Sequence, residues 1–132
     1  TPAEPRRPRL PLGAARAEWE RVIAVCGRYD GWLQAPDRAA VSAYCVAWSI
    51  YEAAAQDIAE RGVLVPGRST ADAVSGTMVK NPSVQVARDA SVALLRWCKE
   101  LGFTPDSRLH FDVKELTGDR HLGPERFFSG LE

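Results

Sequence analysis

At 132 residues the chain can bury one core but not two. Seventeen basic side chains offset seventeen acidic ones, which excludes a global positive field as the means of gathering nucleic acid. No apolar run reaches the ~18 residues of a membrane-spanning helix. Cys26, Cys45 and Cys98 lie far apart with no Cys-x-x-Cys pairing and no signal peptide ahead of them, so they read as reduced thiols used as small core residues.

Residues 1–13 (TPAEPRRPRLPLG) hold four prolines and three arginines. That proline density forbids a helix and predicts an extended basic arm. A first helix is expected from about Ala14 to Tyr29, with Trp19, Val22, Ile23 and Cys26 on one face and Arg16, Glu20, Arg21 and Arg28 largely off it. Asp30-Gly31 breaks it, and Pro36-Asp37 opens the second helix, proline suiting the first turn and the carboxylate the positive helix end. That helix runs to about Arg61. It carries one stripe of Val41, Tyr44, Cys45, Trp48, Tyr51, Ala55, Ile58 and Ala59, and a second strip of Val46, Ile50 and Ala53. A helix wet on one side needs a single stripe, so the second strip marks an expected contact between copies of the chain.

Gly62 ends that helix. Residues 63–80 hold two β-like runs, Val63-Leu64-Val65 and Thr77-Met78-Val79, separated by turn formers, which predicts a loose hairpin or loop. Asn81-Pro82 starts a third helix by N-cap and first-turn proline, with Val84, Ala87, Ser91, Leu94, Leu95, Cys98 and Leu101 expected inward and Gly102 as its stop. Thr104-Pro105 repeats the start signal for a short fourth helix. From about His110 the periodicity dissolves and a tail is expected. The fold class is therefore all-α, a core of three main helices at residues 14–109, with the arm at 1–13 and the tail at 110–132.

Residues 62–69 (GVLVPGRS) resemble a phosphate-binding loop except for Arg68 in place of lysine. That chemistry needs a strand before the loop and a helix after it, whereas here a long helix precedes it and Pro66 removes one N–H donor. A plain connector is expected. His110 and His121, with Asp112 and Asp119, have neither helical nor finger spacing for a metal. No nucleophile elbow or dinucleotide turn is present, so the chain reads as non-catalytic and without a cofactor. Two features stand above this background. Arg6, Arg7 and Arg9 of the arm, continued by Arg16 and Arg21, are candidates for phosphate contact. Phe127, Phe128 and Leu131, in a segment without periodicity, suggest a docking peptide that orders on a partner.

The segment Ala39-Ala40-Val41-x-Ala43-Tyr44-Cys45, the break Glu60-Arg61-Gly62, the start Val79-Lys80-Asn81-Pro82 followed by Ala87-Arg88, and the ending Leu101-Gly102-Phe103-Thr104-Pro105-x-Ser107-Arg108 together resemble the small terminase subunit of tailed phages. The likeness covers about residues 14–108. It implies a non-catalytic part of the genome-packaging motor that forms a ring-shaped homo-oligomer, with a nonamer one candidate size. It also implies binding to double-stranded viral DNA at the packaging site, stimulation of the large terminase subunit's ATPase and nuclease, and work in the bacterial host cytoplasm rather than in the virion. Lys80 and Arg88 join the expected DNA contacts on this reading. No short helix-turn-helix with a basic recognition helix is evident. A helical head–tail connector and a helical DNA-binding regulator are the alternatives, separable by DNA binding with large-subunit stimulation and by oligomer mass.

Overall fold

The computed structural model describes residue 5, residues 13–67 and 76–111, and the backbone of residues 114–115. Among these residues three long helices form the body, α1 (Gly13–Cys26), α2 (Arg38–Arg61) and α3 (Pro82–Leu101), followed by the single-turn α4 (Pro105–Arg108). Among the described residues four short strands accompany them, β1 (Tyr29–Asp30), β2 (Leu64–Pro66), β3 (Met78–Lys80) and β4 (Lys114–Glu115). The expected all-α core with a β-like loop is what forms. α2 is central, packed by α1 and by α3, and β2 pairs antiparallel with β3 with Val65 opposite Val79.

Local chemistry sets the helix ends. The Asp37 carboxylate accepts the Gln34 N–H at 2.8 Å where the chain enters α2, and the side chain of Asn81 accepts the Ser83 N–H at 2.9 Å at the start of α3. Gly102 closes α3 with φ +77°, its N–H reaching the Cys98 carbonyl, a backbone state in which glycine carries no Cβ penalty. Thr104 and Ser107 then bond reciprocally across the first turn of α4.

The core joins Ala15, Trp19, Val22 and Cys26 of α1 to Val41, Tyr44 and Cys45 of α2 and Leu101 of α3. The cysteines behave as core residues: burial pushes the Cys26 and Cys45 thiols up to about 12. Trp32 donates from Nε1 to the Leu101 carbonyl at 2.8 Å and meets Tyr29 and Phe103 edge-on, while Phe103 in turn meets Tyr44. This aromatic chain ties the α1–α2 connection to the end of α3.

Three details depart from the sequence reading. α1 stops at Cys26 rather than Tyr29, because Tyr29–Asp30 becomes extended and pairs antiparallel with Lys114–Glu115. Regular structure thus continues beyond His110, where a tail was expected. In α3, Ser91 and Leu95 face solvent, while Ala90 is buried and Trp97 partly so. The inward face is set by Ala87, Ala90, Leu94, Trp97 and Leu101, a small-residue phase suited to close approach against Ala47 and Ala54 of α2, both buried. On α2 itself, Ala59 is exposed while Ser49 is buried.

Candidate assembly and DNA-contact surfaces

Two polar networks position the surfaces. Glu18 of α1 is 6% exposed; its carboxylate accepts from the Tyr44 hydroxyl of α2 at 2.8 Å and from Arg21 Nε and Nη2 at 2.9 and 2.5 Å. A buried carboxylate left unpaired would cost several kcal/mol, roughly 3–5, so these partners fix the rotation of α1 on α2. Burial, and then the neighbouring Glu18 charge, push the Tyr44 hydroxyl above its ordinary range, keeping it a donor. The Arg21 guanidinium is raised in turn by its bonds to Glu18. No periodicity signals this clamp, since Glu18 and Tyr44 lie 26 residues apart.

The second network centres on Asn81, which is fully buried. Its Nδ2 donates to the Gly62 carbonyl at 2.9 Å and to Asp57 Oδ2 at 3.1 Å, and its backbone N–H reaches the Val63 carbonyl at 2.7 Å. Asp57 also accepts from the Ser83 hydroxyl at 2.6 Å and from both arms of Arg61 at 2.6 and 2.8 Å. The Arg61 pair, followed by Ser83 and Asn81, holds the Asp57 carboxyl well below the usual carboxylate range. One side chain thus closes α2, the base of the β2–β3 hairpin and α3 together.

The candidate assembly residues sit on α2. Val46 is partly buried against the core; Ile50 is 39% exposed and Ala53 is exposed. With Ala39 and Ala43 they follow a 4-3-4-3 spacing, the repeat of a helix-pairing seam. Much of the apolar width of α2 is covered within the chain by α1 and α3, but this strip keeps apolar surface in solvent.

Of the candidate DNA contacts, Arg16 is exposed on α1, Lys80 is exposed at the end of β3 and Arg88 is exposed on α3. Arg21 is committed to Glu18. Arg6, Arg7 and Arg9 lie outside the described residues, as do the docking candidates Phe127, Phe128 and Leu131. The loop that resembles a phosphate site starts as a helix stop at Gly62, φ +87°, and runs into β2. Its Arg68 and Ser69 fall outside the described residues, as do Asp112, Asp119 and His121; His110 is exposed. Among the described residues no three His, Cys, Asp or Glu side chains gather as metal ligands, and no helix is long and apolar enough to cross a membrane.

The sequence profile of a family described as phage terminase, small subunit, matches residues 15–116. The chain belongs to that family. The match takes in α1 from Ala15 onward, all of α2 and α3 and both hairpin strands, and reaches one residue past β4. No curated protein and no solved structure gives a significant match. The small terminase subunit is the generally regulatory, non-catalytic partner in phage genome packaging, which acts inside the host cell. The family-like motifs prove to be folding devices in this member: the Lys80-Asn81-Pro82 start supplies the Asn81 network, and the Leu101-to-Arg108 ending supplies the glycine stop and the Thr104–Ser107 cap.

Proposed function

We propose that this small terminase subunit is a DNA-gathering regulator that works only when assembled with copies of itself. The family match over residues 15–116 carries the reading, and the exposed Ile50 and Ala53 strip on α2 supports self-assembly. Copies joined along that strip, with Val46 at its inner edge, form a ring. With no net charge on the chain, one subunit gains little from a few phosphate contacts. A ring repeats them, and repetition raises avidity without new chemistry. Arg6, Arg7 and Arg9 of the arm, with Arg16, Lys80 and Arg88, supply the contacts to double-stranded viral DNA at the packaging site. The C-terminal Phe127, Phe128 and Leu131 dock the large terminase subunit, whose ATPase and nuclease are thereby stimulated in the host cytoplasm.

The test is reconstitution. The large subunit's ATPase is measured with DNA, with and without this protein, and again with a truncation lacking residues 117–132. Stimulation by the full chain and its loss in the truncation is the expected result. An ATPase rate that ignores the full-length protein overturns the regulatory reading, and normal stimulation by the truncation moves docking elsewhere.

A further inference from the structure

A closed ring of more than two copies is built head-to-tail, so each subunit must present two different and complementary patches. The proposed α2 strip supplies one. The outward side of α3 carries a second apolar group, Val92 and Leu95, 50% and 53% exposed, flanked at helical spacing by Arg88 and Lys99, both exposed. Residues 88, 92, 95 and 99 follow a 4-3-4 repeat on the side of α3 opposite the buried Ala90 and Leu101 and the partly buried Ala87 and Leu94, so none of them can serve the chain's own core. Two exposed aliphatic side chains at seam spacing between two cations form a patch of the kind that marks a protein contact rather than a phosphate track.

The α2 strip has the opposite rim. α2 and α3 run antiparallel in contact, joined at the Gly62–Asn81 end. Their helical phases bring Ile50 and Ala53 of α2 to the same side as Val86 of α3, itself 44% exposed. The acidic groups on that side are Glu60 of α2 with Asp89 and Glu100 of α3, all exposed. Arg96 lies between the two α3 faces, and among the described residues the cation beside the strip's C-terminal end, Arg61, is held by Asp57. An apolar strip with acidic edges therefore faces one way, and an apolar strip with basic ends faces another.

We propose that the Arg88–Val92–Leu95–Lys99 stripe of α3 is the second half of the ring contact and receives the Val46–Ile50–Ala53 strip of the neighbouring copy, with Arg88 and Lys99 meeting the neighbour's Glu60 and Glu100. This rests on the self-assembly reading above. It also gives Arg88, counted there among the DNA contacts, a place at the subunit boundary; the DNA set stands on the arm, Arg16 and Lys80.

The experiment is native mass spectrometry of the full chain, of Ile50→Glu, of Leu95→Glu and of their equimolar mixture, with helical circular dichroism as the folding check. The wild type is expected as a multimer and each variant as a folded monomer. The mixture should give a one-to-one heterodimer and nothing larger, because it holds a single intact pair of unlike patches. Should either variant lose its helical signal, Ala53→Glu or Val92→Glu, both at exposed positions, takes its place. Leu95→Glu that assembles like the wild type, while Ile50→Glu does not, overturns this pairing and leaves self-assembly through α2 intact; so does a mixture that stays monomeric. Full mass for Leu95→Glu with loss of DNA retention or large-subunit stimulation assigns the α3 stripe to those partners and equally overturns it. A monomeric wild type sinks the self-assembly reading itself. Charge reversal gives an independent arm: Arg88→Glu with Lys99→Glu should disperse the multimer, and adding Glu60→Lys with Glu100→Lys should restore it.

Discussion

The side-chain amide of Asn81, at the head of α3, donates to the carbonyl of Gly62, the residue that ends α2, across 2.9 Å. The two lie 19 residues apart with the whole β2–β3 hairpin between them. Losing this amide removes the α3 cap and leaves partly buried polar groups of Gly62 and Ser83 without their partner. An exposed cap costs ~1 kcal/mol, and a stranded buried group adds about 1–3 kcal/mol. Asn81→Ala should therefore lower stability by roughly 2–4 kcal/mol in denaturant melts. Asn81→Asp keeps the α3 cap but loses the donor to Gly62 and faces Asp57, so it too should destabilise.

Removing the Tyr44 hydroxyl takes one of three hydrogen bonds from the buried Glu18. Tyr44→Phe should cost about 1–3 kcal/mol, the range for a bond to a charged group. Arg21→Ala should cost more, because it removes the ion pair and two of the three hydrogen bonds that the buried Glu18 accepts. Thermal melts of both variants test the order. The reverse ranking would show that Arg21 is not needed to hold Glu18.

Gly102→Ala meets two penalties at once. The residue has φ +77°, and an added Cβ would lie 2.9 Å from Cε2 of Phe111. The conformation alone costs ~1 kcal/mol, and the Phe111 ring must also leave its seat on Gly102. A melting temperature lowered by several degrees is expected, with faster hydrogen exchange at Tyr29–Asp30, which pairs with the chain just beyond Phe111. An unshifted melt would mean that the ring yields freely.

The depressed Asp57 carboxyl sets a pH dependence. In the unfolded chain it titrates near the ordinary aspartate value, about 3.9, whereas in the fold it stays ionised to lower pH. Its contribution is complete above that ordinary range and is lost as the pH falls through the folded value. The stability gap between wild type and Asp57→Asn should be widest at neutral pH and narrow towards pH 3. A gap that is flat or widens in acid contradicts the Asp57–Arg61–Asn81 network.

Most helix stops and starts were legible because they are local: Pro82 beside Asn81, Pro105 beside Thr104, and glycine at 62 and 102 act within a few residues, whereas the α1 stop at Cys26 goes with the distant β1–β4 pairing. The phase of α3 was legible only in part: Leu94, Cys98 and Leu101 turn inward as expected, but Ser91 and Leu95 do not. Ser91 and Leu95 share helical spacing with Leu94 and Cys98, and only the proximity of α2 selects the alanine-rich side. The Glu18–Tyr44 clamp and the β1–β4 pairing join residues distant in sequence, beyond what periodicity can express. Among the functional candidates, the Val46–Ile50–Ala53 strip was readable as apolar width beyond one stripe. The basic-ended stripe on α3 was not legible, because Leu95 lies beside Leu94 and shares helical spacing with Cys98, both of which pack against the core.

DNA binding that depends on assembly is the central claim, and sedimentation velocity of a labelled duplex with wild type and with Ile50→Glu tests it most directly. At low salt the duplex should co-sediment with the wild-type multimer and remain nearly free beside the folded Ile50→Glu monomer. Adding salt should release the duplex steeply, at about −0.9 in the log–log slope per neutralised phosphate. Equal affinity of monomer and multimer, or no binding by the intact multimer even at low salt, would contradict it.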